Sequence, residues 1–166
     1  MKNRINTIQK LKIDSKDCLF AKYNNNSYIV SHDTKKIVVV EENSRKYTLN
    51  NDIQKELVVY RIDGGIINST HVDKCDFGIY SEDGVFILIE LKGSDYDHAC
   101  DQIISTITQL DLTQLAKSIF GRIVLSRGKT PNLRSTSDTK LKNILKKYKG
   151  NLKSSSLAFR EKLSSL

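Results

Sequence analysis

Five consecutive apolar residues, Val85, Phe86, Ile87, Leu88 and Ile89, are followed at once by Glu90, Leu91 and Lys92. An apolar run without alternation suits a central strand buried on both faces. The segment before it, Asp76 to Ser81, reads as its hairpin partner. Glu82-Asp83-Gly84 fits a three-residue loop with Gly84 in the left-handed position. That register pairs Ser81 with Val85, Tyr80 with Phe86, and Asp76 with Glu90. Earlier in the chain, Tyr28 to Val30 and Lys36 to Glu41 read as strands bracketing a turn at His32-Asp33-Thr34. Asn50-Asn51-Asp52 marks a loop, Gln54 to Ile62 a further strand, and Asp63-Gly64-Gly65 a turn before a strand-like piece from Ile66 to Thr70. Met1 to Asp14 fits either a short helix or a loosely held arm.

The period changes after Gly93. Ser94 or Asp95 is placed to cap a helix whose apolar stripe is Ala99, Ile103, Ile107 and Leu110, with Gln102 beside it. Phe120 to Ser126 is a strand that completes a crossover and should pair parallel with the Glu90 strand. Lys129-Thr130-Pro131 forms a loop. A second helix is predicted from a Ser137 or Asp138 cap, with Leu141, Ile144, Leu145 and Tyr148 inward and Gly150 as its stop. The serine-rich tail from Asn151 has one more possible helical turn, Ala158 to Leu163. The expected fold is α/β (α+β): a mixed β-sheet flanked by helices in a single domain, 1–166, with a basic helical part from about residue 132.

Composition narrows the class. A chain of 166 residues with 39% hydrophobic content and one proline suits an ordinary α/β domain. No apolar run reaches the ~18 residues of a membrane span. The first residues lack a signal-peptide core, so a cytoplasmic location is expected. Cys18, Cys75 and Cys100 have no metal-type spacing and are expected to be reduced thiols. The net charge of +8 is unevenly spread: residues 120–166 hold 12 Lys and Arg against 2 Asp and Glu. Such a block is the footprint expected of a nucleic-acid partner, although a solvated face or an acidic protein partner has the same composition. The candidate phosphate contacts are Arg122, Arg127, Lys129, Lys142, Lys146 and Lys149.

Chemistry enters where the central strand ends. Residues two apart in a strand share a face, so Glu90 and Lys92 project to the same side. The hairpin register brings Asp76 to them. Charges at the end of a buried strand need a partner, a metal or a catalytic task. An ordinary Glu90–Lys92 ion pair is the simplest structural account. Two carboxylates and a lysine are also the core of a divalent-metal phosphodiesterase site, since hard cations take oxygen ligands and a lysine stabilises charge on phosphate or hydroxide.

Asp76, thirteen intervening residues and then Glu90-Leu91-Lys92, followed by Gly93 and a helix with Gln102, resembles the PD-(D/E)xK nuclease superfamily, the restriction-endonuclease-like fold that includes Holliday-junction resolvases. The likeness covers roughly Asp63 to Leu115, with Cys75 where the family pattern has proline. The resemblance implies a Mg²⁺- or Mn²⁺-dependent nuclease acting on DNA, RNA not being excluded, and leaving 5′-phosphate ends. By the same resemblance Asp76, Glu90 and the Leu91 carbonyl would hold the metal. Lys92 would orient or activate the attacking water, and Gln102 would reach the metal or its water. An upstream acid would come from Glu41, Glu42, Glu56 or Asp63. A domain of this size would act as a possible homodimer, by recognising structure, or within a larger system. The competing classes are a non-catalytic nucleic-acid-binding domain and a protein-interaction subunit.

Overall fold

The apolar run of Val85–Glu90 is a strand with a neighbour on each side and a core on each face. The computed structural model describes residues 15–127, 131 and 134–166. The elements in order are α1 (Ser15–Lys22), β1 (Ile29–Asp33), β2 (Ile37–Glu42), β3 (Arg45–Asn50), β4 (Leu57–Arg61), β5 (Phe77–Ser81) and β6 (Val85–Glu90). They continue with α2 (Tyr96–Gln109), α3 (Leu112–Leu115), β7 (Ser118–Leu125), α4 (Thr136–Lys147), β8 (Leu152–Ser156) and β9 (Ala158–Lys162), ending in a 3-10 turn at Leu163–Ser165. The main sheet has the order β1-β4-β5-β6-β7-β8. Its first four strands are antiparallel neighbours, while β7 lies parallel to β6 and β8 parallel to β7. A second sheet, β2-β3-β9, covers one face.

Alternation along β6 divides the interior. Phe86 and Leu88 join the core beneath the helices, with Ala99, Ile103, Ile107, Leu141 and Leu145. Ile87 and Ile89 join the core beneath the small sheet, with Val38, Val40, Tyr47 and Leu49. A strand covered on both sides must be apolar at every position, which is the reason for the unbroken run. This is a mixed α/β fold of the class expected. No helix among the described residues is long and apolar enough to cross a membrane.

Several local expectations are corrected. The strands near His32 do not pair with each other: β1 joins the main sheet and β2 the small one. His32 lies within β1, not in a turn, and its Nε2 meets Glu56 Oε1 at 2.5 Å. The polar run Glu41 to Ser44 does not close the region. Asn43 and Ser44 both take positive φ (47° and 64°) as a two-residue hairpin loop, and β3 follows directly. Ile66 to Thr70 forms no extended strand, because the chain folds back through Gly64 (φ 66°) and Ile62 O accepts from both Gly65 N and Ile67 N. The second long helix is capped by Ser135, whose side chain accepts from Asp138 N. Lys149, at φ 55°, makes the left-handed step at its end in place of Gly150. The N-terminal reading, Met1 to Asp14, lies outside the described residues.

The C-terminal part is not a helical appendage. It supplies α4 and two strands, one to each sheet, and Ala158 to Lys162 is β9, not a helical turn. Inward alternation of Phe159 and Glu161 explains this, since Glu161 neutralises a buried arginine from β7.

Candidate active site

β5 and β6 pair with Tyr80 opposite Phe86 and Phe77 opposite Ile89. One rung further along this register Asp76 faces Glu90, on the sheet face that α2 covers. Gly84 (φ 93°) makes the turn that sets the register, and its N–H donates to Ser81 O at 2.9 Å. Asp76 Oδ2 accepts from Leu91 N at 2.7 Å, which ties the end of β6 to the start of β5. Glu90 is 1% exposed, and its Oε2 has no hydrogen-bond partner among the described residues.

Helix α2 completes this face. Asp95 caps it by accepting from His98 N. Gln102 is buried, its Nε2 donates to Lys74 O at 2.9 Å, and its Oε1 is likewise without a partner. Cys75 N donates to Thr106 Oγ1 at 2.9 Å. A proline has no N–H to give, so the departure from the family pattern at Cys75 has a local use: it fastens the Asp76 segment to α2.

The electrostatics follow from burial. Desolvation pushes Asp76 up to about 6; Leu91 N–H and Lys92 oppose the rise, and Glu42 and Asp63 add to it. Glu90 is raised well above the carboxylate range by burial and then by the Asp76 charge, with Lys92 opposing. Lys92 is half-buried, reaches both acids electrostatically, and makes no hydrogen bond or ion pair among the described residues. Of the proposed upstream acids, Glu41 pairs with Lys46 at 3.3 Å and Glu56 with His32. Glu42 and Asp63 are the two that act on Asp76, although Asp63 is mainly exposed and also meets Lys74 Nζ at 3.5 Å.

No group of three or more His, Cys, Asp or Glu is arranged to hold a metal among the described residues. The donor set at Glu90 is of another kind: two carboxylates and an amide. Two of its buried oxygens, Glu90 Oε2 and Gln102 Oε1, lack partners. Hard oxygen donors left short of a proton donor suit Mg²⁺ or Mn²⁺, so the residues fit such an ion. No protein-family model matches this chain, and neither does any curated protein or solved structure.

The basic residues separate into different roles. Arg122 is fully buried and forms a two-point pair with Glu161, Nε to Oε1 at 2.5 Å and Nη2 to Oε2 at 3.0 Å, so it is not available to phosphate. Arg127 is exposed and follows Ser126, whose N–H donates to Gly93 O at 2.9 Å; this puts it at the Lys92 edge of the sheet. Lys142 is held 2.8 Å from the buried Asp138, which also accepts from Tyr96 OH. Lys146 and Lys149 are exposed at the far end of α4, where Tyr148 O accepts from Ile119 N near the start of β7. Lys129 lies outside the described residues. The sequence reading missed a groove of about 630 Å³ on α4, lined by Arg134, Thr136, Thr139, Lys140, Asn143 and Lys147 among others, with no acid in its wall. It also missed Arg45, which the Asn43-Ser44 loop delivers to the end of β6.

Acidity should govern the stability of the metal-free protein. A carboxyl whose pKa is higher in the folded state than in the unfolded one stabilises the fold fully below its unfolded pKa. The contribution is lost as pH rises through the folded value. For Asp76 the window runs from 3.8 to about 6, and the loss for Glu90 continues beyond it. Two pKa units correspond to roughly 3 kcal/mol, or a fall of about 6–12 °C in Tm for a chain of this size. In EDTA, Tm should therefore be lower at pH 8 than at pH 5, and Asp76→Asn should flatten the profile. Mn²⁺ should raise Tm at pH 8 and do little at pH 5, since its ligands must be deprotonated. A profile identical in wild type and Asp76→Asn would show that Asp76 does not titrate in this way.

Proposed function

We propose that the chain is a metal-dependent nuclease that hydrolyses phosphodiester bonds in DNA. The observation that carries the reading is the buried Glu90 carboxyl, with an unpartnered oxygen, opposite Asp76 and under the influence of Lys92. A purely structural ion pair accounts for one acid and one base. It gives no reason to crowd a second carboxyl against Glu90, where each raises the proton affinity of the other's surroundings.

Asp76 and Glu90, with the Gln102 amide oxygen beside them, would hold Mg²⁺ or Mn²⁺. When bound, such an ion polarises the phosphoryl oxygen and lowers the pKa of a water. The chain's own residues supply the rest. Lys92 has no other ligand among the described residues, and its ammonium can stabilise negative charge on the phosphate or the attacking oxygen. Leu91 N–H fixes one Asp76 oxygen and so orients the carboxylate. Arg127, at the same edge, and the Arg134–Lys140–Lys147 groove are placed to hold flanking phosphates.

The direct test is incubation of the protein with single- and double-stranded DNA, and with RNA, in Mg²⁺ or Mn²⁺. Wild type should cut, and Asp76→Asn and Lys92→Ala should not. No cleavage under any metal would leave a nucleic-acid-binding or protein-interaction domain.

Salt dependence tests the basic face separately. Released counterions make log K fall with log salt, with a slope of roughly 0.9 for each phosphate contacted. Lys146→Gln with Lys149→Gln should lower that slope by about 1–2 if both touch phosphate. Lys142 is left intact in this variant because its loss would strand the buried Asp138 carboxylate. An unchanged slope would make the two lysines a solvated face.

A further inference from the structure

The Leu91 carbonyl, the metal ligand implied by the family resemblance, already has a cationic partner. Arg45 Nε donates to Leu91 O at 2.7 Å, and Arg45 Nη1 donates to Ser126 Oγ at 3.0 Å. The guanidinium is half-buried between the ends of β6 and β7. Its position is built, not incidental. Asn43 and Ser44 both adopt positive φ, and this tight loop aims Arg45 at the main sheet. Ser126, its second anchor, is fixed in turn by its N–H to Gly93 O at 2.9 Å. Leu91 thus links both partners: its N–H serves Asp76 and its C=O serves Arg45.

A guanidinium remains charged at any physiological pH. A divalent ion on the same carbonyl oxygen would face that positive charge at contact distance, in a setting where water screens little. We infer that Arg45 takes the place of a metal ion at the Leu91 carbonyl, so that the site binds one divalent cation, on Asp76 and Glu90, and has no second cation site at Leu91. Arg45 then supplies as a fixed side chain the positive charge that a second ion would bring. Nη2 has no partner among the described residues and is available to a phosphate oxygen. This inference rests on the metal reading of Asp76 and Glu90 and adds the number of ions and the residue that limits it.

The test is Mn²⁺ titration of the purified protein at pH 8 without nucleic acid, read by calorimetry and by the free-Mn²⁺ electron spin resonance signal. Wild type should bind one ion per chain, and so should Arg45→Lys, which keeps the charge. Arg45→Ala should bind two, the second more weakly, and Glu90→Gln should lose the first. Two ions in wild type, or a single ion in folded Arg45→Ala, would overturn the assignment of Arg45. If wild type binds none, the metal reading and this inference fall together. The wild-type stoichiometry needs no variant, so the inference stays exposed even if Arg45→Ala does not fold.

Discussion

Glu90→Gln should abolish cleavage and leave the metal-free protein as stable as wild type or more so. The carboxyl is buried, its Oε2 is unpartnered, and Asp76 raises its proton affinity further, so the folded state gains nothing from the ionised form in the absence of a cation. Glutamine keeps the volume and adds an N–H₂ donor to a site short of donors. Its loss of charge removes a direct ligand. Residues that merely support a ligand are worth ~10–100-fold in metal affinity or activity, so cleavage should fall by more than ~100-fold. Binding to DNA in EDTA should be unchanged or tighter, because one negative charge facing the phosphate is gone. Lys92→Ala should also lose cleavage but bind DNA slightly less well, by about one phosphate contact. Cleavage by Glu90→Gln at the wild-type rate would end the catalytic assignment. Unfolding of Glu90→Gln would instead make the acid a structural partner of Lys92.

The hairpin and its two acids were legible because local chemistry fixes them. Gly84 determines the loop, the loop determines the register, and the register brings Asp76 to Glu90. The crossover to β7 followed from the change in period after Gly93, and the α2 stripe from Ala99 to Leu110 is buried as its spacing requires. What could not be read was set by pairing over long distances. β9 lies parallel to β3 across more than a hundred residues, and nothing in Ala158 to Lys162 announces that neighbour. Arg45 belongs to the same category. The Asn43-Ser44 pair offered a hairpin signal, but only the packing of one sheet on the other carries its arginine to Leu91. Arg122 failed differently. A basic residue in a basic segment reads as surface, and its burial depends on an acid 39 residues away.

That acid carries the largest stability effect expected in the molecule. Arg122 and Glu161 have side chains 0% and 6% exposed. The guanidinium gives two hydrogen bonds to Glu161 and, through Nη1, reaches Gly121 O, Asn151 O and Asn151 Oδ1. Tyr47 OH donates to Glu161 Oε1 at 2.8 Å, and the rings of Phe120 and Phe159 flank the charge. The cluster therefore joins β3 and β9 of the small sheet to β7 of the main one. Glu161→Ala leaves a guanidinium buried without its anion, a loss of about 3–5 kcal/mol in comparable pairs. Replacing both partners by apolar residues of similar size, Arg122→Met with Glu161→Leu, should recover most of that loss, because the desolvation of two charges disappears with them. The double variant separates structure from function as well. If Arg122 is only a core cation, the double variant should bind DNA with the wild-type affinity and salt slope. Denaturant melts and a salt titration of both variants decide it. A Glu161→Ala loss below ~1 kcal/mol would place the pair among weak surface bridges, and a flattened salt slope in the double variant would return Arg122 to the phosphate-binding face.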